Sequence, residues 1–307
     1  MPSRLYKILL FLGIAAAIVS IPAFWFSYPL LNDFLNPGQA AAELEVDFLD
    51  VGQGDAELIK TPFGQNILID GGPNSSIIDR LSEELPFWER TIDLVILSHP
   101  HDDHVNGLNE VLKRYEVKQI AASGVLHTSP GYLEWLAAVK DGRIPLTIID
   151  RPQTISLGEN CQLHFLYPLK PLLGRGVENL NNSSLVVKLV YGETSFLFTG
   201  DIEAEVEKEL LAFASSTAGS AGIKADLKAD VLKVSHHGSD TSSDEKFLAA
   251  VRPALAVISV GADNTFGHPN LRVLKRLERV GAAVYRTDID GTVKFKSDGQ
   301  SILIIDH

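Results

Sequence analysis

Residues Ile92 to Leu97 form a continuous apolar run of strand length that ends directly in Ser98-His99-Pro100-His101-Asp102-Asp103-His104. A strand apolar on both faces belongs inside a covered sheet, and such a strand delivers functional groups at its C-terminal end. Layers must therefore be built around it. Three imidazoles and two carboxylates lie within six positions, and the imidazoles repel one another when protonated and gain little unless they hold a metal. A turn carrying His99 and His101 can point two neutral nitrogens at one cation while Asp103 and His104 face a second beside it. Each shell is then incomplete, as a hydrolytic site requires.

Composition narrows the donors. The single cysteine, Cys161, excludes an internal disulfide framework and a Cys-rich zinc module, so any metal is held by His, Asp, Glu or Asn. His127 and Cys161 have no evident partner in the sequence and read as structural. A net charge of -12, from 39 acidic and 27 basic residues, argues against broad binding to a polyanion and leaves room for a small, metal-bound phosphate site. With 307 residues, 45% of them apolar, the chain is long enough to bury a large core, which excludes disorder as its main state.

The N-terminus reads differently from the rest. Residues 1–7 are a short segment containing Arg4 and Lys7, followed by 24 residues, 8–31, without a charge. At roughly 1.5 Å per residue that run spans about 36 Å as a helix, enough to cross a bilayer. The flanking charges and Trp25 and Tyr28 near its far end orient the N-terminus to the cytoplasm. Ala40 to Ala42 also offer a cleavage site, so the segment is either a single-pass anchor or a secretory signal. Either way the remainder is expected outside the cytoplasm, tethered to the cell membrane or secreted. Residues 32–42, with Pro37 and Gly38, read as a linker, and 43–307 as one domain.

Within that domain short strands alternate with helices. Glu45–Leu49, Ala56–Lys60 and Asn66–Ile69 read as strands, the last two joined by a turn at Pro62 and Gly64. Helices are predicted over Ser76–Leu85 and Val105–Tyr115. The second half predicts strands at Leu185–Tyr191, Ser195–Phe198, Val231–Val234 and Ala254–Val260, helices at Ile202–Phe213, Glu245–Val251 and Leu271–Val280, and three closing strands. The closing strands are Ala282–Arg286, Thr292–Lys296 and Ile302–Ile305. Ser215 to Gly222 reads as a surface loop. Two mixed units with helices outside make an α/β protein of the layered αββα kind.

The His-x-His-x-Asp-His cluster resembles that of the metallo-β-lactamase superfamily at every position. Phe48-Leu49-Asp50-Val51-Gly52-Gln53-Gly54-Asp55-Ala56, Leu68-Ile69-Asp70-Gly71-Gly72, Phe198-Thr199-Gly200-Asp201 and Ser235-His236-His237-Gly238-Ser239 are similar to the ComEC/Rec2 competence-protein hydrolase domain. Phe266-Gly267-His268-Pro269 and Tyr285-Arg286-Thr287-Asp288 continue the likeness, which covers essentially Glu43 to His307. The long multispanning channel of full competence proteins is missing from this sequence.

The resemblance implies a metallo-β-lactamase αββα sandwich and two divalent metal ions. His99, His101 and Asn181 would serve the first ion, Asp103, His104 and His237 the second, with Asp201 bridging them. Where the family places a third histidine on the first ion, this chain has Asn181-Asn182-Ser183-Ser184. An amide oxygen suits a hard ion, so Mn2+ is as credible as Zn2+. His164, the rival ligand, reads as a core or surface histidine. Either His236 or His237 could be the ligand; the one before the glycine matches the family position, leaving His236 beside the substrate. Asp70 would orient the metal-binding loop, and Gln53, Asp55 and Ser239 would meet substrate. His236 and His268, with Asp103, are the catalytic candidates, for charge stabilisation or leaving-group protonation.

A cysteine at the Asp201 position is typical of common β-lactamases, and its absence counts against that activity. Other departures are Asn106 in place of glycine, Asp240 where relatives often carry lysine, and Asn270 in place of histidine. The expected function is a phosphodiesterase or nuclease acting on single-stranded DNA outside the cytoplasm, with a DNA-uptake channel as partner. Alternatives are hydrolysis of a non-nucleic phosphodiester such as a phosphorylcholine ester, hydrolysis of a lactone, ester or thioester, and a non-catalytic DNA-binding subunit.

Overall fold

The β-rich pattern that opens the domain becomes a meander. Strands β1 (Leu44–Phe48), β2 (Glu57–Lys60) and β3 (Asn66–Ile69) pair antiparallel, and the turn between the last two places Gly64 at φ +79°. Helix α1 (Ser76–Glu84) and strand β4 (Thr91–Ile92) lead to β5 (Leu94–Leu97), whose four residues are all buried and which lies parallel to β3. Then follow helix α2 (Asp102–Arg114), β6 (Glu116–Val117), β7 (Ile120–Ala122), helix α3 (Pro130–Asp141) and β8 (Leu146–Ile148). The second half contributes β9 (Gln153–Gly158), β10 (Cys161–Tyr167), β11 (Val186–Tyr191), β12 (Thr194–Phe198), α4 (Ala204–Ser215), β13 (Val231–Lys233), α5 (Glu245–Val251), β14 (Leu255–Ile258), α6 (Leu271–Arg279), β15 (Ala283–Arg286), a short α7 (Thr287–Asp290), β16 (Val293–Ser297) and β17 (Ile302–Ile305). The computed structural model describes residues 43–215 and 226–305.

The strands form an eight-stranded sheet, ordered β17-β16-β1-β2-β3-β5-β7-β8, and a seven-stranded sheet, ordered β15-β14-β13-β12-β11-β10-β9. β4 and β6 form a separate parallel pair. Each large sheet has an antiparallel part and a parallel part, and helices link the parallel strands. Residues of both sheets meet in one apolar layer containing Phe48, Phe165, Phe196, Phe198 and Phe295. The Phe48 ring lies 5.9 Å from Phe198 and 5.8 Å from Phe295. At roughly 1.5–3 kcal/mol for each large side chain fully buried, this layer is a main source of cohesion. Val206, Leu210, Phe247, Val273 and Leu277 from α4, α5 and α6 bury the outer face of the second sheet. The αββα sandwich is therefore formed.

The differences from expectation fall at element ends and in one interval. Helix α2 starts at Asp102 rather than Val105, because Asp102 and Asp103 suit the positive end of a helix and the His101 carbonyl accepts from the amides of His104 and Val105. Asp103 and His104 are thus held on a rigid first turn. β14 ends at Ile258, two residues early, leaving Ser259 and Val260 in the loop beside the site. Between residues 116 and 180, where α3 and β6 to β10 form, the pattern sets no element bounds. Trp135, fully buried, anchors α3. The segment 1–7, the anchor or signal at 8–31, the linker at 32–42 and all but the first residue of the loop Ser215 to Gly222 lie outside the described residues. Among the described residues no helix is long and apolar enough to cross a membrane.

One close approach seats the site. α2 packs on the loop after β3 through Gly107: its amide donates to the Gly72 carbonyl at 2.9 Å, and a Cβ there would lie 1.8 Å from the Gly71 oxygen. Only glycine permits that distance. The Gly71 amide in turn donates to the His104 carbonyl at 2.8 Å, locking the histidine turn against β3.

Candidate metal centre

Asp70 leaves β3 in a left-handed conformation, φ +57°, which turns its carboxylate towards the end of β5. Its Oδ1 accepts from the Ser98 amide at 2.7 Å, and its Oδ2 accepts from the Ser98 hydroxyl at 2.5 Å and from His104 Nδ1 at 2.8 Å. Because the Ser98 proton is given to Asp70, Ser98 Oγ is left to accept from His99 Nδ1, 3.1 Å away. His237 Nδ1 donates to the Ser259 carbonyl at 2.8 Å. In all three rings the proton resides on Nδ1, which presents the Nε2 lone pairs to the interior of the cluster, the usual preparation of metal-binding histidines.

Those lone pairs converge on one carboxylate oxygen. Asp201 follows β12 after Gly200, and its Oδ2 lies 3.3 Å from His104 Nε2, 3.4 Å from His237 Nε2 and 3.9 Å from His99 Nε2. Asp103 Oδ2 is 3.3 Å from His237 Nε2, and its Oδ1 is 3.9 Å from His104 Nε2. His101 Nδ1 lies 2.9 Å from His99 Nε2. Donors on a tetrahedral ion with bonds of about 2.0–2.1 Å stand roughly 3.3–3.4 Å apart, close to the spacing around His104, His237, Asp103 and Asp201. His104 Nε2, His237 Nε2, Asp201 Oδ1 and Asn181 Oδ1 are buried without a hydrogen-bond partner. Such orphaned donors fit cations, because burying them unpaired is costly.

Electrostatics divides the ligands into two kinds. Burial, and then the neighbouring His104, hold the His99 and His101 imidazoles below their ordinary range, so both are neutral donors. Burial opposes charge on His104 and His237 as well, but the surrounding carboxylates, Asp201 foremost, outweigh it and push both up. Asp201 is held well below the usual carboxylate range, its burial outweighed by His237 and His104. The cluster is an anionic cage that takes up positive charge, from protons or from metal.

Asn181, at the start of a 3-10 turn (Asn181–Ser183), is buried; its Nδ2 donates to Glu203 Oε1 at 3.1 Å and lies 3.3 Å from His236 Nε2. Its Oδ1 is the free atom. His236 and His237 both adopt left-handed φ, +50° and +52°, which splays consecutive rings in different directions. His237 enters the cage, while His236 stays half-buried between Glu203 Oε1 at 3.4 Å and Thr241 Oγ1 at 3.2 Å. The His268 ring lies 5.5 Å from His236 and 6.5 Å from His237.

Of the three residues expected to meet substrate, Asp55 is turned into the protein. Asp55 is 1% exposed: it pairs with the Lys233 ammonium and lies 3.3 Å from His237 Nδ1, supporting the cage from below. Gln53 accepts the Gly261 amide at 3.1 Å and ties two loops together. Ser239 is buried and its hydroxyl lies 3.1 Å from Thr241 Oγ1. The glycine turn likewise approaches the chain itself, since a Cβ on Gly54 would lie 2.2 Å from the Asp103 carbonyl oxygen.

Lys233 went unremarked in the sequence. It is 1% exposed, its Nζ donates to the Gly200 carbonyl at 3.2 Å, and it lies 3.7 Å from Asp201 Oδ1. A lysine interrupting the apolar run Val231 to Val234 was the available signal. Nearby Glu57 is a second buried carboxyl, pushed well above its ordinary range by burial and by Asp55. His127 has the neighbour that the sequence did not show: its ring is 6.3 Å from His101. His164 bonds Thr154 on the neighbouring strand β9. Asn270 caps α6 by accepting the Arg272 amide at 2.9 Å, and Asp240 lies 3.4 Å from Arg272 Nη1.

Comparisons with known proteins agree with this geometry. The metallo-β-lactamase superfamily profile matches residues 49–262. ComE operon protein 3 of Bacillus subtilis is 31% identical over 88% of this chain and 34% of its own length. Recombination protein 2 of Haemophilus influenzae is 32% identical over 81% of this chain and 28% of its own. The chain spans about a third of the length of these curated relatives. Among solved structures, CmlA, a diiron β-hydroxylase from Streptomyces venezuelae, superposes with a TM-score of 0.51 at 15% identity, over 87% of this chain and 55% of that one, a likeness of fold. The chain belongs to the metallo-β-lactamase superfamily, as a domain of the ComEC/Rec2 competence type. It is a metal-dependent hydrolase.

Proposed function

We propose that this domain hydrolyses phosphodiester bonds in single-stranded DNA, using two divalent ions, Zn2+ or Mn2+. The observation that carries the reading is Asp201 Oδ2, within 3.9 Å of Nε2 of His99, His104 and His237 and therefore shared by both ligand sets. His99, His101 and Asn181 would hold one ion; Asp103, His104 and His237 would hold the other. When bound, such a pair lowers the pKa of water and polarises a phosphoryl oxygen.

The remaining work falls to the chain. Asp70 and the Ser259 carbonyl keep each imidazole in the tautomer that presents Nε2. Lys233 offsets the charge of Asp55 beneath the cage and fixes the loop of Gly200. His236, held by Glu203 and Thr241, stands beside the phosphate position and stabilises its developing charge. His268 is held neutral, first by burial and then by His236 and His237, and in that form its ring N–H can hydrogen-bond an oxygen of the phosphate. The competence relatives support DNA as substrate and a DNA-uptake channel as partner. The uncharged run at 8–31 supports tethering to the membrane with residues 43–307 outside the cytoplasm.

The test is hydrolysis of 5′-labelled single-stranded DNA by the purified chain with Mn2+ or Zn2+, beside Asp201→Ala. Cleavage by the first and none by the second is expected. Hydrolysis of a small phosphodiester or a lactone, without cleavage of DNA by protein carrying both ions, would overturn the reading.

A further inference from the structure

Phe266 is 68% exposed, an apolar ring presented to water beside a polar site. Isolated exposed apolar residues are ordinary, so position must decide its meaning. The Phe266 ring stacks on His268 at 5.8 Å and 25° between planes. His268 in turn stacks on His237 at 6.5 Å and 28°. Three roughly parallel rings thus lead outwards from the metal cage, and Phe266 is the last. By contrast, the exposed Phe87 and Trp88 pack edge-on against each other and have no such link to the site.

The loop that carries Phe266 is well anchored. Asn264 Nδ2 donates to the carbonyls of Gly261 at 2.8 Å and His268 at 2.9 Å, and Asn264 Oδ1 accepts from the His268 amide at 3.0 Å. Gly261 is bound to Gln53, and Gly267 turns at φ +73°. A platform held this way offers a flat face with little loss of entropy on binding.

We propose that Phe266 is the stacking platform for a base of the DNA strand whose phosphate lies over the cage, an inference that rests on the nuclease reading above. Every base has a π-face, so the contact binds without reading sequence. It also explains how an acidic domain can hold a polyanion: recognition comes from ions at the phosphate and stacking at the base, in place of a basic track.

The experiment compares 5′-labelled oligo-dT with an abasic oligomer of the same length, both with Mn2+, for the intact chain and for Phe266→Ala, Phe266→Leu and Phe266→Trp. The ratio of kcat/KM for oligo-dT over the abasic strand is expected to fall about tenfold or more in Phe266→Ala, through KM. Phe266→Leu, apolar but not aromatic, is expected to fall with it, while Phe266→Trp restores the ratio. Oligo-dT, unlike the abasic strand, is expected to quench the fluorescence that Phe266→Trp adds. An unchanged ratio in Phe266→Ala, with both strands cleaved, overturns the platform and leaves the nuclease reading standing. An equal loss on both strands assigns Phe266 to loop structure and also overturns it. Cleavage of neither strand by the parent chain removes the nuclease reading, and the platform with it.

Discussion

His104 and His237 are each tied at 2.8 Å to a buried acceptor, Asp70 and the Ser259 carbonyl, and both face the carboxylates of Asp103 and Asp201. His101, across the cage, is half-buried and has His99 as its close polar neighbour, while the third position belongs to the neutral amide of Asn181. One half of the centre is therefore charged, enclosed and oriented by its surroundings; the other is neutral and open towards His127. The difference teaches that the two ligand sets are not equivalent, and predicts unequal affinity for a cation. A cation in the enclosed half is expected to be held more tightly than one in the open half.

Breaking the ligand common to both should have the largest effect. Asp201→Ala is expected to cost more than the roughly 10–100-fold typical of losing a supporting partner, with metal content falling at both positions by elemental analysis. Next come the halves taken singly. His237→Ala is expected to lower affinity in the tighter of two chelator-competition phases, and His101→Ala in the weaker; equal losses would refute the asymmetry. Smaller still are the supporting groups. Asp70→Asn removes the acceptor for His104 and for Ser98, so roughly 10–100-fold weaker metal binding is expected. Ser98→Ala, which removes the hydroxyl between Asp70 and His99 but keeps the bond from Asp70 to His104, should fall below that.

The last prediction concerns stability next to the enclosed half. Glu207 is buried and accepts the amides of Ser243 at 2.5 Å and Asp244 at 2.9 Å, closing the loop that follows His236 and His237. Burial, against the pull of those two amides, pushes its carboxyl up from 4.5 to about 7. The folded chain then binds a proton more tightly than the unfolded one. This contribution to stability is full below about pH 4.5 and is lost as pH rises through about 7, by an amount on the order of 3 kcal/mol. Denaturant melts of Glu207→Gln between pH 5 and 8 should lack that part of the slope. A slope equal to that of the parent chain would show that Glu207 does not titrate there.

What could be read before the fold was known depended on how local the cause was. The buried strand and its histidine cluster, six residues from His99 to His104, declare themselves because backbone geometry alone brings them together. Helix α2 was placed three residues late, since a sequence of metal-binding side chains conceals the acidic first turn that starts the helix. Asp55 is expected to meet substrate through the family likeness of its turn, but a turn's sequence does not say which of its side chains faces the protein, and Asp55 is buried. Lys233 was invisible for a related reason: a buried lysine is tolerable only with an anion beside it, and that anion, Asp55, lies far away in the chain.

By itself the sequence determined the order of the main strands and helices before residue 116 and after residue 180, the absence of a disulfide framework and the donor types available to a metal. Each follows from neighbouring residues and from composition. Only the tertiary structure decided that Nε2 is the nitrogen turned into the cage on His99, His104 and His237, that Asp55 and Lys233 form a buried pair beneath it, and that Phe266 ends a column of rings. These depend on hydrogen bonds and contacts between segments brought together by two sheets closing over one core, and side-chain direction at such crossings is set by packing.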